Sequence, residues 1–409
     1  MGAHARRIRR SRSCAQERID WAGMARLAAL AVVFVVSAVA SSCRSPTNHP
    51  SSDAGAEAGD AALPGLLLPP QDAGRTTARG VDAAVDPVAQ VARGKLLYGR
   101  YCNFCHGETG AGYAADQAPA LGNDDLLTVA TDEYLRDAIV KGRPGTTMSA
   151  WSVARGGPLG YDDAEAIVAH FRTWQKRPSV STADRKVKGD AERGAALFAT
   201  HCASCHGAKG KDGKYGALAN AELLASASDG FLATTIEHGR AGTPMQAFGT
   251  KLTTEQVDDV VTLLRSWQQA PEEPPPLPPK PGALANVVLN PRGPQPTFEV
   301  KTDFIKVDVV KAEVDRHASM IIVDARPPSD YARMHIAGAI SVPFYQVEAF
   351  SKEIPKDRYV LTYCTCPHAE SVKVRDALRG LGYPRVAVID EGILAWRDRG
   401  YPVRGSARP

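Results

Sequence analysis

Two stretches of the chain have apolar residues at spacings of three and four, the pattern of a helix with one buried face. They cover residues 162–175 and 255–268, and each opens on acidic residues and ends on Trp-Gln. The match between them indicates an internal repeat. Two copies are too few for a solenoid, so the pattern favours two tandem all-helical domains.

The pattern changes after a proline-rich stretch at residues 271–281, whose composition favours a semi-rigid polyproline II spacer. Short apolar runs at 320–324, 358–364 and 386–390 then alternate with helical patterns around 369–381 and 392–399. Strands that alternate with helices predict a parallel sheet covered on both faces. The predicted fold class is therefore multidomain, with two all-α domains followed by an α/β domain.

Each helical repeat carries a C-x-x-C-H motif, Cys102-Asn-Phe-Cys105-His106 in the first copy and Cys202-Ala-Ser-Cys205-His206 in the second. In this pattern the two cysteine sulfurs bond covalently to the edge of a c-type haem, and the histidine ligates the iron. The alternatives are a chance match or a zinc half-site. The repeat disfavours both, because a zinc site would not need the methionine that recurs later in each copy.

Two of the six methionines lie in the haem-motif repeats, and both stand in the context Gly-Thr-x-Met. We therefore predict Met148 and Met245 as the sixth iron ligands, the alternative being that both only fill the core. A second histidine is the rival ligand, but His170, His201 and His238 each lack a counterpart in the other copy, so we expect them on the surface or on a helix face. Two filled axial positions favour electron transfer over oxygen or peroxide chemistry.

Residues 88–177 and 188–269 resemble two monohaem class I c-type cytochrome domains. The resemblance implies an N-terminal helix that leads into the haem motif, a C-terminal helix that packs across it, and an axial methionine from the intervening loop. It also implies the cofactor, which is two covalently bound haem c groups.

The first 43 residues have the pattern of an export signal. Seven arginines in residues 6–26 precede an apolar stretch at 27–40, which at fourteen residues is shorter than the roughly 20 that span a bilayer. The small residues that end at Cys43 resemble a bacterial lipoprotein box, with Cys43 as the lipidated residue. Ordinary cleavage and an uncleaved anchor are the alternatives, and Met24 is a second candidate for the start.

We therefore predict a periplasmic or cell-envelope protein, attached to the membrane through an N-terminal lipid. Residues 44–87 are rich in Ser, Ala, Gly, Asp and Pro and are predicted to form a disordered tether. Residues 1–26 carry a net charge of +5 and the whole chain +4, so the excess of positive charge belongs to the leader. The remainder has no basic stripe, which argues against nucleic acid as a partner.

The part that follows the 270–296 linker, residues 298–405, resembles a rhodanese domain. The resemblance is carried by Asp324-Ala-Arg326-Pro, Asp330-Tyr331, His335-Ile-Ala-Gly338, Pro343, Gly392 and Trp396. Cys364 stands where that family keeps its nucleophile. The resemblance implies that its thiolate accepts a sulfane sulfur, becomes a persulfide, and passes the sulfur to a thiol or cyanide. The alternative is a buried, inert cysteine.

The loop after Cys364 has the position to support this chemistry, because a strand-to-helix turn directs backbone N–H groups and a helix dipole at the thiol. The potential cation of this loop is His368, and Glu370 adds negative charge, which argues against thiosulfate as the donor. Cys366 either resolves a persulfide on Cys364 by forming a disulfide or only packs beside Pro367. The loop has no arginine, which argues against a phosphatase.

The leading hypothesis is an exported dihaem cytochrome that carries electrons for sulfur chemistry on Cys364 and Cys366. Its expected partners are respiratory or other periplasmic redox proteins and a small sulfur compound. A second hypothesis is an electron carrier whose rhodanese-like domain only docks partners or senses redox state. A third is a haem-centred oxidase or peroxidase, which would need an open iron site.

Overall fold

The computed structural model describes residues 86–115, 117–271, 273–299, 302–365 and 368–406. The predicted signal segment, the lipid site Cys43, most of the tether and Cys366 lie outside these residues. All of the described residues fall in one compact unit, so contacts between its domains are part of the structure. Within them, no helix has the length and apolar character that a bilayer-spanning helix requires.

Among the described residues, five α-helices build each of the two helical domains. In the first they are α1 (Pro87–Tyr101), α2 (Asn103–His106), α3 (Asp124–Val129), α4 (Asp132–Lys141) and α5 (Tyr161–Arg172), with a 3₁₀ turn at Val153–Arg155. In the second they are α6 (Ala191–His201), α7 (Ala203–His206), α8 (Ala221–Ser226), α9 (Asp229–His238) and α10 (Thr254–Ser266). The predicted helices at 162–175 and 255–268 are α5 and α10, and both end before the tryptophan that closes the pattern.

The first and last helices of each domain cross at a glycine. A side-chain carbon placed on Gly94 would overlap the carbonyl oxygen of Ala166, and one on Gly194 would overlap that of Asp259. The two backbones therefore approach more closely than any other residue would permit. One helical turn later, Tyr98 and Phe198 each meet a tryptophan edge-on, with ring centroids 5.1 Å from Trp174 and 5.0 Å from Trp267.

Of the two placements expected for His170, the structure shows the helix face rather than the surface, because His170 lies on α5 and is buried. It is 7% exposed, and its ring lies 5.7 Å from Tyr98 and 4.6 Å from Trp174 between ring centroids. Burial lowers the pKa of His170, so a neutral ring packs within the crossing of α1 and α5. His238 is exposed, as expected, and His201 is half-buried beside Phe248.

The two helical domains contact each other reciprocally. The amide of Asn123, which caps α3, donates to the carbonyl oxygen of Ala241 at 2.9 Å. The amide of Asn220, which caps α8, donates to that of Pro144, also at 2.9 Å. Asn123 and Asn220 are equivalent in the repeat, as are Pro144 and Ala241, so the contact has the form of an approximate twofold axis.

The third domain has a five-stranded parallel sheet. Its strands are β1 (Phe304–Ile305), β2 (Met320–Asp324), β4 (Ile340–Ser341), β5 (Tyr359–Tyr363) and β6 (Val386–Ile389), in the order β1-β6-β5-β2-β4. β3 (His335–Ile336) and β7 (Val403–Arg404) form a separate antiparallel pair. The helices are α11 (Val307–Asp315), α12 (Pro328–Arg333), α13 (Val347–Ser351), α14 (Ala369–Gly380) and α15 (Gly392–Asp398).

The three central strands were predicted from their apolar runs, and every residue of β2, β5 and β6 is buried. Two buried clusters lie on opposite faces of the sheet, since neighbouring residues such as Ile321 and Ile322 belong to different clusters. The end of the predicted linker does not act as a free spacer. Leu284, Val287 and Val288 pack against one cluster, and Leu289 packs against the other.

Candidate functional site

The first C-x-x-C-H motif lies where α1 ends. The backbone N–H of Cys102 donates to the Tyr98 carbonyl at 2.8 Å, and the motif continues as the single turn α2. His106 is 6% exposed, and its Nδ1 lies 2.8 Å from the carbonyl oxygen of Pro119. Because a carbonyl only accepts, Nδ1 carries the proton and Nε2 keeps a lone pair for a metal.

The second motif repeats this geometry. Cys202 caps α6 through a 2.9 Å bond from its N–H to the Phe198 carbonyl. Nδ1 of His206 lies 3.0 Å from the carbonyl oxygen of Gly216, which again leaves Nε2 available. In the first motif, burial lowers the pKa of His106, and the hydrogen bond to the Pro119 carbonyl opposes that shift. Because burial has the larger effect, the ring is held in the neutral form that metals bind.

The two methionine loops also share one conformation. In the first, the N–H of Arg143 donates to the carbonyl of Met148 at 2.8 Å, and the N–H of Met148 donates to the hydroxyl of Thr146 at 3.1 Å. In the second, Arg240 donates to Met245 at 2.8 Å and Met245 to Thr243 at 3.2 Å. Both methionines are half-buried against the helical core. Two methionines with the same role would need the same loop conformation, and these two loops have it.

Cys364 follows β5 directly and precedes α14. It is 1% exposed, and its Sγ lies 3.4 Å from the hydroxyl oxygen of Ser371, in the first turn of α14. Its carbonyl accepts the N–H of Ile393 at 3.0 Å. His368, just before the helix, has φ 81°, a left-handed conformation that costs a non-glycine residue about 1–3 kcal/mol. The strained turn aims the start of α14 at the thiol.

The charges near this thiol differ from those predicted from the sequence. His368 is engaged with Asp390, whose Oδ1 lies 3.1 Å from its Nε2. The buried Arg326 is a second cation, with Nη1 3.4 Å from the hydroxyl of Thr365, but two of its nitrogens bind Asp324 at 2.9 and 2.6 Å. Burial and the proximity of Cys364 hold the pKa of Glu370 well above its usual range. Among the described residues of this loop and its surroundings, these two cations are thus already paired with carboxylates.

An aromatic cluster joins the third domain to the first helical domain. It consists of Tyr101 and Trp151 from the helical domain and Phe344 and Tyr345 from the loop after β4. Their ring centroids lie 5.2–6.3 Å apart in the recorded pairs. The hydroxyl of Tyr345 donates to the carbonyl of Gly156 at 2.8 Å. This cluster packs the loop after β4 of the third domain against the helical domain that carries the first motif.

Lys373, on α14, extends the junction to the first motif itself. Its Nζ lies 3.2 Å from the centroid of the Phe104 ring, between Cys102 and Cys105 in sequence, and 4.6 Å from that of Phe344. It also donates to the carbonyl of Arg100 at 3.4 Å. One helix thus begins beside Cys364 and contacts the C-x-x-C-H segment one turn later.

Comparison with known families agrees with both parts of this architecture. The family model for "Cytochrome C oxidase, cbb3-type, subunit III" matches residues 89–170 and again 189–264. The model for the rhodanese-like domain matches residues 306–399. The chain therefore consists of two c-type cytochrome domains followed by a rhodanese-like domain. The cytochrome match argues against the alternative that these motifs are zinc half-sites.

Curated relatives match one part or the other. A sulfurtransferase of Allochromatium vinosum is 36% identical over 84 residues, which are 20% of this chain and 78% of that protein. The C-terminal domain thus belongs to the rhodanese family. The cbb3-type cytochrome c oxidase subunit FixP of Bradyrhizobium diazoefficiens is 33% identical over 160 residues, 37% of this chain and 52% of that subunit. The chain spans about half the length of FixP.

Among solved structures, the BH2092 protein of Bacillus halodurans is 28% identical, covers 26% of this chain and 78% of its own, and has a TM-score of 0.24. That score is low, so the fold assignment rests on the family matches and on the sheet order.

A c-type cytochrome domain implies covalently bound haem c, and the described residues fit that group. Each motif offers two cysteines and a histidine whose Nε2 has a free lone pair. In the second methionine loop itself, Nε of Arg240 is buried without a hydrogen-bond partner. A haem carries two carboxylates, and such an anion would satisfy this donor.

Sequence reasoning missed three residues: Arg326 as a cation near the cysteine loop, and Lys373 and Tyr345 at the junction between the third domain and the first helical domain. Arg326 was noted only for its family resemblance, although its position after a buried strand could have suggested a buried charge. Lys373 and Tyr345 had no signal, because each gains its place from contacts between domains.

Proposed function

We propose that this protein is an exported dihaem c-type cytochrome that carries electrons for a sulfur site on its rhodanese-like domain. Cys102 and Cys105 would attach one haem, and Cys202 and Cys205 the other. Haem c, when bound, supplies one-electron redox chemistry. His106 and His206 are the proposed proximal ligands, held in the required tautomer by the carbonyls of Pro119 and Gly216.

Met148 and Met245 are the proposed distal ligands, because their loops share one hydrogen-bond pattern. Replacing each with alanine tests this role by optical spectroscopy of the oxidised protein. Each single variant should lose half of the methionine-to-iron absorption near the red end of the spectrum, and the double variant all of it. An unchanged band in the double variant would remove the ligand assignment, and intact protein whose mass lacks two haems would remove the dihaem assignment.

On the third domain, Cys364 is the proposed sulfur carrier. Its place between β5 and the start of α14 brings backbone N–H groups and a helix dipole to bear on an anionic sulfur. Thiosulfate is disfavoured as the donor, since the Arg326 guanidinium is already paired with Asp324 and Glu370 lies near the thiol. A small sulfur species of lower charge, such as sulfide or a persulfide, fits these surroundings better.

The junction between the third domain and the first cytochrome domain is the observation that carries this proposal. Through Lys373, the helix that begins beside Cys364 contacts Phe104 inside the first haem motif. The aromatic cluster holds the same two domains together. This contact between the two domains supports the proposed pairing of the sulfur site with the first haem site.

Anaerobic mixing of the oxidised protein with thiosulfate, sulfide, sulfite and a persulfide, each in turn, tests the coupling. We expect haem reduction by sulfide and its loss in Cys364→Ser, because the S–S bond that joins sulfide to the Cys364 thiolate releases one proton and two electrons, one for each ferric haem. A persulfide that only passes its sulfane sulfur to Cys364 releases its parent thiol and no electrons, so it should load Cys364 without reducing the haems. Cys366→Ser is the matched control: retained reduction assigns Cys366 a packing role, and loss assigns it the resolving role. Reduction that persists unchanged in Cys364→Ser would overturn the sulfur-carrier role.

A second candidate function is an electron carrier whose rhodanese-like domain docks partners or senses redox state. The 1% exposure of Cys364 favours it, because a transferring thiol needs access to its donor. Assays of sulfur transfer to cyanide or a thiol separate the two. Activity that depends on Cys364 supports the first candidate, and its absence with each donor supports the second.

The proposed location is the cell envelope, with Cys43 lipidated and respiratory or other periplasmic redox proteins as electron partners. Fractionation of cells that express the wild type and Cys43→Ser tests the anchor. We expect the wild type in the membrane fraction and the variant in the soluble periplasm. An identical distribution of both would remove the lipid anchor from the proposal.

A further inference from the structure

Lys373 is a cation supplied by one domain to the redox site of another. It lies on α14 of the rhodanese-like domain, and its Nζ sits over the Phe104 ring at 3.2 Å from the centroid. Phe104 is one of the two residues between the motif cysteines, and it is 39% exposed even with this contact. The ammonium group is therefore placed at the edge of the proposed haem attachment segment.

The surroundings of Lys373 reduce the screening of its charge by water. It lies between the rings of Phe104 and Phe344, so nearby water screens it less than an exposed lysine. The other charged groups that act on it are Glu370, one turn earlier on the same helix, Arg100 and the Cys105 sulfur. Burial lowers the pKa of Lys373 to about 8, and the cation–π contact favours the charged form, so the side chain is still an ammonium at pH 7.

The second cytochrome domain has no equivalent arrangement at this position. The counterpart of Phe104 is Ser204, which is exposed and whose recorded hydrogen bond goes to the neighbouring Cys205 sulfur. The two motifs are alike in ligands and loop geometry but differ in their nearby charges: Lys373 of the third domain lies over the first motif, whereas the segment after the second motif carries Lys209, Lys211 and Lys214 of its own. The field at the first motif is thus set in part by the third domain.

We propose that Lys373 is a positioning residue that raises the reduction potential of the haem held by Cys102 and Cys105 and so makes it the acceptor for electrons from the sulfur site. A fixed positive charge stabilises the ferrous form, which carries one positive charge less than the ferric form. The inference rests on the proposed haem attachment, and it names which of the two haems faces the sulfur site.

Spectroelectrochemical titration of the full-length dihaem protein at pH 7 tests it. Lys373→Met removes the charge and keeps an apolar stem of similar length, whereas Lys373→Arg keeps the charge. We expect Lys373→Met to lower the equilibrium constant for reduction of one haem by about threefold to tenfold, tenfold being 59 mV for one electron. The other haem should keep its wild-type value, and Lys373→Arg should stay close to wild type in both.

Lys356→Met is the matched control, because it also removes a lysine that lies over an aromatic ring of the same domain. Its Nζ is 5.3 Å from the centroid of the Tyr383 ring. It should leave both potentials unchanged. Equal shifts in Lys373→Met and Lys356→Met would show a general charge effect and overturn the inference.

Three other results also overturn it: no shift in Lys373→Met, equal shifts of both haems, or a matching loss in Lys373→Arg, which would mean that packing matters and charge does not. A different experimental result would contradict the proposed sulfur coupling. A wild type that no sulfur compound reduces would remove the coupling, while the difference between Lys373→Met and Lys373→Arg would stand.

Discussion

Single residues in this protein acquire their chemistry from partners that are distant in the sequence. The tautomer of His106 depends on the carbonyl of Pro119, and the charge of Arg326 is largely taken up by Asp324. The ligand types could be predicted from the motifs, since cysteine and histidine spacing is local. Their protonation and pairing could not, because the partner becomes known only when the chain is folded.

Lys373 gives a prediction about pH and stability at this scale. Burial lowers its pKa from 10.5 to about 8, with Glu370 opposing the shift. Between pH 8 and 10.5 the unfolded chain binds more protons at this residue than the folded protein, so its contribution to the free energy of unfolding rises with pH. The cost of burying the charge is full below pH 8 and disappears above pH 10.5.

Lys373→Met should therefore raise the free energy of unfolding at pH 7 by about 1–2 kcal/mol, after allowance for the partial exposure of the side chain. Denaturant titrations of variant and wild type across this pH range measure the difference. It should shrink as pH rises from 8 to 10.5. A difference that stays constant with pH would show that the ammonium charge is not the cause.

At the scale of elements, the crossing of α1 and α5 is the feature that the sequence predicts best. The periodicity of α5 and the three central strands of the sheet were visible in the sequence, and the resemblance to c-type cytochromes implied that a C-terminal helix packs across the N-terminal part of the domain. The short strands β1, β3, β4 and β7 were not predicted. Each has two residues, so an apolar run or alternation cannot be recognised at that length.

Gly94→Ala tests the crossing, because the added carbon would overlap the carbonyl oxygen of Ala166. We expect a loss of about 1–3 kcal/mol in the free energy of unfolding, the range for forcing extra volume into a packed contact. Gly99→Ala on the same helix is the control, since Gly99 has no atom within 4 Å of the new carbon.

That control should be stabilising by about 0.5–1 kcal/mol, because alanine replaces glycine within a helix. Thermal or denaturant unfolding followed by circular dichroism measures both variants. Equal effects of the two substitutions would mean that the close approach of α1 and α5 does not depend on Gly94.

At the scale of the whole molecule, the arrangement of domains could not be predicted from the chain. The repeat indicated two cytochrome domains, but the reciprocal bonds of Asn123 and Asn220 join positions more than 70 residues apart. The aromatic junction likewise joins α1 to a loop of the third domain. No local sequence pattern predicts such contacts, because each partner looks like an ordinary surface residue until the domains pack together.

The asparagine contacts give a prediction about domain docking. Asn123→Asp and Asn220→Asp keep the oxygen that caps α3 and α8 but replace the amide that donates to the other domain. Each should weaken docking by about 1 kcal/mol, the typical net value of one hydrogen bond, and the double variant should weaken it more. The rate of proteolysis in residues 173–190, between the two domains, reports the docking.

Faster cleavage with unchanged helical circular dichroism is the expected result, since the caps remain. Cleavage at the wild-type rate in the double variant would mean that the two amides do not hold the domains together. A loss of helical signal would instead place the damage in the caps, and Asn123→Ser would then separate the cap from the docking contact.

The contact between Lys373 and Phe104 has a last consequence for the duplication itself. Two identical haem modules in series would give electron transfer between them no preferred direction. Here a neighbour covers the aromatic residue in one motif, whereas its counterpart Ser204 is open to solvent. Under the proposed function, this asymmetry makes the first module the entrance for electrons and the second module the exit.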